Sequence, residues 1–270
     1  MRLNLFSITI LNLIFLVGCQ KESSQNDSKE DQKTVTPCTV DMIDDVDKME
    51  ESLFFDSLGR LINLIKIQNG RKEEIEFSYD EKGRLIQIYD KEGTEYEVYE
   101  YDDFGKIVKE LIYDDSITLE NLKEYEIHEF NEKNQKVKTT YFQVGSDSKA
   151  QEVEIDFYTY NEKGDLIEIN TELLREKKKF KEAVFEYSNI ESKIKYPVGY
   201  AFYSGNFLPS RKIVYSNSGA KLHEYLLYYE TNSSGFPTKS YVINNKFDSA
   251  GKPESSDTIS VLNYDYKDCF

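Results

Sequence analysis

The 270-residue sequence contains no tryptophan, only two histidines, three cysteines and five prolines. His128 and His223 stand far apart, and Cys19, Cys38 and Cys269 form no Cys-x-x-Cys pair, so neither a multi-histidine metal motif nor a redox motif is present. Basic residues are outnumbered, 34 against 50 acidic, for a formal net charge of −16. That balance excludes a general nucleic-acid binder, because phosphate contact needs a basic face. There is no Gly-x-Ser-x-Gly elbow, P-loop, dinucleotide fingerprint or His-Glu-x-x-His pair, so no catalytic residue and no cofactor is assigned. Carboxylates are so abundant that any two could imitate a glycosidase pair, and such a pairing carries no information. What is present is aromatic: 21 Tyr and 16 Phe, which argue for a packed fold in spite of 31% charged residues.

The longest apolar run, Leu3 to Val17, is interrupted by Asn4, Ser7, Thr9 and Asn12. It is shorter than the roughly 20 residues of a spanning helix and reads as the hydrophobic region of a signal peptide, with Arg2 as its charged start. Leu16-Val17-Gly18-Cys19 resembles the bacterial lipobox, which implies removal of residues 1–18 and acylation of Cys19. Residues 19–36 hold a single aliphatic side chain, Val35, and read as a solvated tether; a flexible coil of that length spans on the order of 25 Å. Position 20 is Gln rather than Asp, which in such lipoproteins argues against inner-membrane retention. The expected location is the outer membrane, lipid-anchored, on its periplasmic face or at the cell surface. Cys38 and Cys269 bracket the remainder, residues 37–270, which is expected to be one domain. In an oxidising compartment the two either pair as a disulfide or remain free thiols.

One pattern recurs through that domain: an aromatic, then Asp, Asn or Ser, two variable residues, then Gly or Asn. It begins at Phe55, Tyr79, Tyr89, Tyr101, Phe130, Tyr160, Tyr215 and Phe247, and a ninth copy has Thr231 in the aromatic place. The spacing is turn chemistry. Asp, Asn or Ser at the first turn position accepts hydrogen bonds from the backbone ahead of it, and the residue three later must take a positive φ. A type I turn followed by such a residue connects a β-hairpin with a bulge. The flanks alternate with a period of two: Val153, Ile155 and Phe157 against Glu152, Glu154 and Asp156, and Tyr125 and Ile127 against Glu124, Glu126 and His128. The charged face of each is read as the wet one, so Glu124, Glu126 and His128 are taken as a solvated strand face and not as metal ligands. Asp41 to Ser52 is the one segment read as a short helix, and the acidic run Asp41–Asp47, which lacks the EF-hand glycine and terminal Glu spacing, as solvated. The expected fold is all-β, an antiparallel meander of consecutive hairpins in a curved or coiled sheet.

Tyr79-Asp80-Glu81-Lys82-Gly83-Arg84-Leu85 and Tyr101-Asp102-Asp103-Phe104-Gly105-Lys106-Ile107 resemble the YD repeats of bacterial RHS proteins. The large members wrap a toxin in a long spiral of hairpins; this chain has too few copies to enclose one. It is more similar to small bacterial envelope lipoproteins built from YD-like hairpins. The resemblance implies a location and a fold but no activity.

The rhythm breaks between Tyr160 and Tyr215. From Arg175 to Lys212 nine basic residues face four acidic ones, a local excess of +5. The segment also carries Tyr196, Tyr200, Phe202, Tyr203 and Phe207 among Gly and Pro, the composition of a binding loop. The expectation is a non-catalytic binding or scaffold module, with these five aromatics as candidate contacts for an acidic glycan or an envelope protein. The alternative is an envelope hydrolase whose carboxylates are scattered through the sequence. A third assignment of the same segment is structural: it covers a sheet edge or fills the core.

Overall fold

The computed structural model describes residues 39–45, 49–191 and 207–267. Cys19, Cys38 and Cys269, residues 1–36, and Tyr196, Tyr200, Phe202 and Tyr203 lie outside the described residues. Among the described residues the chain forms sixteen strands. The first eight are β1 (Thr39–Asp44), β2 (Met49–Phe55), β3 (Leu61–Gln68), β4 (Arg71–Tyr79), β5 (Leu85–Asp90), β6 (Glu95–Tyr101), β7 (Ile107–Asp114) and β8 (Leu122–Phe130). The rest are β9 (Lys136–Val144), β10 (Ala150–Tyr160), β11 (Leu166–Leu173), β12 (Lys178–Glu191), β13 (Phe207–Tyr215), β14 (Lys221–Thr231), β15 (Pro237–Phe247) and β16 (Pro253–Lys267). Each pairs antiparallel with its predecessor, so the meander is as expected. The segment read as a helix is instead β1 and β2, paired from Thr39↔Phe54 to Asp44↔Met49.

The sheet is not an open curve or coil. β16 returns to pair with β1 over Thr39↔Lys267 to Asp44↔Leu262, and the ring closes. Closure satisfies the last two strand edges, which an open meander would leave as templates for aggregation.

Eight of the nine motif copies make the same turn. At the second copy the Gly83 N–H donates to the Asp80 carbonyl at 2.9 Å, and the Asp80 N–H donates to the Arg84 carbonyl at 2.9 Å. Gly83 sits at φ +77° and Gly164 at φ +89°, while Asn134 takes the same role at φ +65°. The Tyr89 copy differs: the positive φ falls one residue later, on Thr94 at +53°, and the Asp90 carboxylate fills the space beside Gly93.

The turn acid does more than shape its turn. Asp80 Oδ1 accepts the N–H groups of Lys82 (2.9 Å) and Arg84 (2.8 Å), and its Oδ2 accepts Arg84 Nε at 2.7 Å. The Arg84 guanidinium then lies 4.5 Å from the centre of the Tyr101 ring, one repeat on. The Tyr101 hydroxyl donates to the carbonyl of Leu85, the residue after Arg84, at 2.6 Å. Asp56, Arg60, Tyr79 and Leu61 repeat the arrangement one hairpin earlier. Tyr160, Tyr187 and Tyr266 donate in the same way to Lys136, Leu166 and Pro237. Where the turn residue is Asn the polarity reverses but the contact stays: Asn131 Nδ2 donates to Gln135 and Asn161 Nδ2 to Asp165.

The interior differs around the ring. On β1–β3, Val40, Met42, Leu53, Phe55, Leu61 and Leu64 are at most 2% exposed, so no water-sized space reaches them. Phe77, Ile88, Val242, Leu262 and Tyr264 extend this apolar cluster on either side.

Two substitutions test the turn and the lacing. Val at Gly83 meets the left-handed steric penalty of roughly 1–2 kcal/mol, so Gly83→Val is expected to lower the melting temperature more than Lys82→Val in the same turn; equal effects refute the turn assignment. Tyr101→Phe leaves the Leu85 carbonyl without its donor and is expected to cost about 1 kcal/mol in denaturant unfolding, whereas loss of an exposed hydroxyl such as that of Tyr228 should cost nothing measurable.

Candidate functional site: a polar belt inside the barrel

Opposed residues in an antiparallel ladder share a face, so registers carry the inside of the barrel from strand to strand. Tyr99 is buried and opposes Glu110; Glu110 opposes Glu126; His128 opposes Thr139. Thr139 opposes Asp156, which opposes Thr171. The inner face of β6 to β11 is therefore acidic and hydroxylic where the β1–β3 side is aliphatic. The alternation in β8 and β10 has the expected period and the opposite sense. Glu126, His128 and Asp156 face inward, while Ile127 and Phe157 face out. Outward apolar side chains are covered locally: Tyr125 and Phe142 stack at 4.5 Å, and Tyr89 and Tyr96 at 4.3 Å. The cause is size. A ring of about sixteen strands encloses more room than side chains of a small barrel fill, and on this side the chain lines the lumen with hydrogen-bonding groups.

Asp156 is the centre of one network. Its Oδ2 accepts the Tyr141 hydroxyl at 2.9 Å, and its Oδ1 lies 2.7 Å from Thr171 Oγ1. Thr171 Oγ1 also lies 2.8 Å from Glu182 Oε2. One hydroxyl carries one proton, so Thr171 donates to one carboxylate at a time. Burial, then the charge of Glu182, pushes Asp156 up to about 6.

A second group lies on β6, β7 and β8. Burial, then the charge of Glu110, raises Glu97 well above the usual carboxylate range, and the Tyr99 hydroxyl donates to it at 2.8 Å. Burial also raises Glu110, against the pull of Lys136 and with Glu124 adding to the rise. His128 is 7% exposed, and burial reinforced by Lys136 pushes it down to about 3, so the imidazole is neutral. Its Nδ1 lies 3.1 Å from Thr139 Oγ1, which in turn receives the Tyr158 hydroxyl at 3.1 Å. Ligand atoms of Glu110, Glu126 and His128 lie within 4.8 Å of one another, a set able to hold a metal ion. Lys212 projects inward from β13 toward the Phe185 ring, and burial lowers its pKa against the attraction of Glu182.

Of the five candidate contact aromatics only Phe207 is described. It opens β13, half-buried, with Lys163 Nζ 5.2 Å from its ring centre. Lys193 and Lys195 lie outside the described residues, and among the described residues the basic excess does not form a continuous rim beside Phe207. Lys178 and Lys179 begin the 14-residue strand β12, whose other end meets β13 at Glu191↔Phe207. At about 3.3 Å per residue they stand some ~40 Å from Phe207. Acids on adjacent strands pair these cations: Lys179 with Glu172 at 2.7 Å, Lys181 with Glu168 at 2.5 Å and Arg211 with Glu186 at 2.7 Å. The belt residues Glu97, Glu110, Asp156, Thr171, Glu182 and Lys212 were not signalled by the sequence. Each occupies an ordinary polar place in an alternating strand, and only the register shows that its face is the inner one.

The sequence pattern of the Teneurin YD-shell family matches residues 15–169, more than half of the chain. The chain belongs to the Teneurin YD-shell family. No curated protein sequence matches it. Among solved structures, a porin-like protein from Bacteroides uniformis is similar over 87% of this YD-shell chain and 98% of its own, with a TM-score of 0.57 and 13% identity. A porin-like protein from Bacteroides vulgatus aligns over 86% of this chain and 98% of its own at a TM-score of 0.35 and 12% identity. The Photorhabdus luminescens Tc holotoxin pore aligns over 79% of this chain but 15% of its own, at a TM-score of 0.30 and 14% identity. At these identities the first shows the fold alone, and the other two carry no argument.

The raised Asp156 carboxyl sets a pH dependence. Between the unfolded value near 4 and about 6, the folded state keeps a proton that the unfolded chain releases, so this group's contribution to stability falls as pH rises through that window. Asp156→Asn removes the effect. Relative to the parent, the variant is expected to gain stability between about pH 4 and pH 7, by on the order of 2 kcal/mol. A difference that does not change with pH would contradict the assignment.

Proposed function

We propose that the protein is a non-catalytic shell or scaffold module held at the outer membrane through acylated Cys19, with residues 20–36 as a tether that lets the barrel stand clear of the headgroups. The observation that carries the reading is closure. Strands β1 to β16 form one ring whose repeats are laced to one another at the turn end, and its β1–β3 side is packed solid with aliphatic side chains. Such a ring is a stiff platform, and an acidic glycan or an envelope protein docks on the aromatics of Tyr196 to Pro209, a stretch whose last three residues open β13, with Leu208 in the core, and whose remainder lies outside the described residues.

A membrane-spanning pore is the less favoured reading of the same ring. A spanning barrel needs an apolar outer band, and charges facing lipid near the midplane cost about 2–4 kcal/mol each. Here outward positions carry ion pairs: Lys91 with Glu74 and Glu76 at 2.7 and 2.8 Å, Lys181 with Glu168, and Arg211 with Glu186. The hydrolase reading draws on the carboxyl groups of Asp156 and Glu182 gathered at Thr171, but those groups sit inside the ring among their own hydrogen-bond partners.

Anchoring and docking are tested separately. Cys19→Ser is expected to abolish incorporation of labelled fatty acid and release the protein from the membrane fraction; label retained by the variant refutes the anchor. Tyr200→Ala with Tyr203→Ala is expected to eliminate binding to acidic polysaccharides and to cross-linked envelope protein, with an unchanged circular dichroism spectrum. Unfolding of that double variant would instead place the segment in the core.

A further inference from the structure

We propose that Glu110, Glu126 and His128 bind a divalent first-row transition-metal ion inside the barrel. The site is built by two neighbouring strands. Glu110 on β7 directly opposes Glu126 on β8, and His128 lies two residues further along the same inner face of β8. The ligand atoms already lie within 4.8 Å of one another, and His128 Nε2 is 3.9 Å from Glu110 Oε2. Metal–nitrogen and metal–oxygen bonds of about 2.0–2.2 Å require only a small inward movement of the side chains.

Three features favour a cation there over a purely structural cluster. First, His128 is nine-tenths buried, yet its Nε2 makes no hydrogen bond within the protein; the nearest charged atom, Glu110 Oε2, is too distant for one. The Nε2 lone pair is therefore available to an incoming ion. Second, Nδ1 is fixed by Thr139, which is held by Tyr158. With the proton on Nδ1 donated to Thr139, the Nε2 lone pair points free, which is the support that metal-bound histidines generally have. Third, the inner face around the triad is acidic. Glu110 opposes Glu126, Glu124 lies two residues before Glu126 on β8, and Glu97 lies two residues before Tyr99, which opposes Glu110 from β6. A divalent ion removes the repulsion between these carboxylates. Two carboxylate oxygens and one imidazole nitrogen suit Zn²⁺, Mn²⁺, Fe²⁺ or Co²⁺ rather than Ca²⁺ or Mg²⁺, and three protein ligands leave a position for water.

This inference does not depend on anchoring or on the aromatic segment. The test uses the full chain, stripped with a chelator, then titrated calorimetrically with Zn²⁺ and followed by visible absorption with Co²⁺. The expected result is one ion per chain, with affinity reduced about 100-fold or more in Glu126→Gln or His128→Asn and about 10–100-fold in Thr139→Val, the supporting residue. The Glu110→Gln, Glu126→Gln double variant keeps side-chain shape and removes like charges. It is expected to melt no lower than the metal-free parent and to lose the Zn²⁺-dependent rise in melting temperature. The proposal is overturned if the parent binds no stoichiometric ion, if the folded double variant binds as tightly as the parent, or if the Co²⁺ spectrum shows thiolate charge transfer, which would place the ion on a cysteine.

Discussion

The barrel rests on one turn made eight times, and at Asp56 and Asp80 the turn carboxylate also holds an arginine over the aromatic ring of the next repeat. Asp80 shows why it works. Backbone N–H groups satisfy one carboxylate oxygen and the Arg84 guanidinium the other, and the Arg84 N–H and side chain hold the acid below the usual carboxylate range. The acid is thus used twice, once to form its own turn and once to aim the arginine. The arginine covers Tyr101, and the Tyr101 hydroxyl returns to the carbonyl beside the arginine. A hairpin alone is marginal in water. Here the hairpins at Asp56 and Asp80 are each tied to the next by a cation over a ring and a hydroxyl on a carbonyl, and Tyr160, Tyr187 and Tyr266 keep the hydroxyl contact further round the ring.

The lacing sits at one end of the ring and leaves the strand bodies free to vary. A large ring must then be filled or wetted, and this chain does both. Aliphatic side chains close the β1–β3 side, where Phe55 and Leu61 are buried beside Leu53 and Leu64. The opposite side is lined by Glu110, His128, Thr139 and Asp156, and the aromatics that would have filled it, Tyr125 and Phe142, stack on the outer surface instead.

The turns were legible in the sequence because turn chemistry is local: an aromatic, an acid and a glycine at fixed spacing need no knowledge of what lies across the barrel. So were the strands, since a period of two survives any tertiary arrangement. Closure was not legible, because it is decided by the pairing of Thr39 with Lys267, residues at the two ends of the ring. The sense of the alternation was not legible either. Ile127 and His128 are equally good strand residues, and which of them faces inward depends on β7 and β9. The habit of placing the apolar face inside failed in β8 and β10 for that reason. The short turn at Asn69-Gly70, with φ of +53° and +77°, carried a signal that the longer motif obscured.

The acidic belt has a cost that the fold alone does not explain. Well-packed apolar residues in place of buried ionisable groups are often neutral or stabilising, and the β1–β3 side proves that this chain can build such packing. Glu51 gives a measure of the alternative: enclosed beside Lys66, it is pushed up to about 7 by burial even with that partner opposite. On β6 to β8 burial likewise raises Glu97 and Glu110, with Lys136 opposing the rise of Glu110, and the buried His128 is neutral. Register alone would be served by Thr139 and Thr171, which already provide directional hydrogen bonds. The inward carboxyl groups of Glu110 and Glu126, gathered beside the imidazole of His128, are therefore the part of the interior that scaffolding leaves unexplained and that the proposed cation would account for.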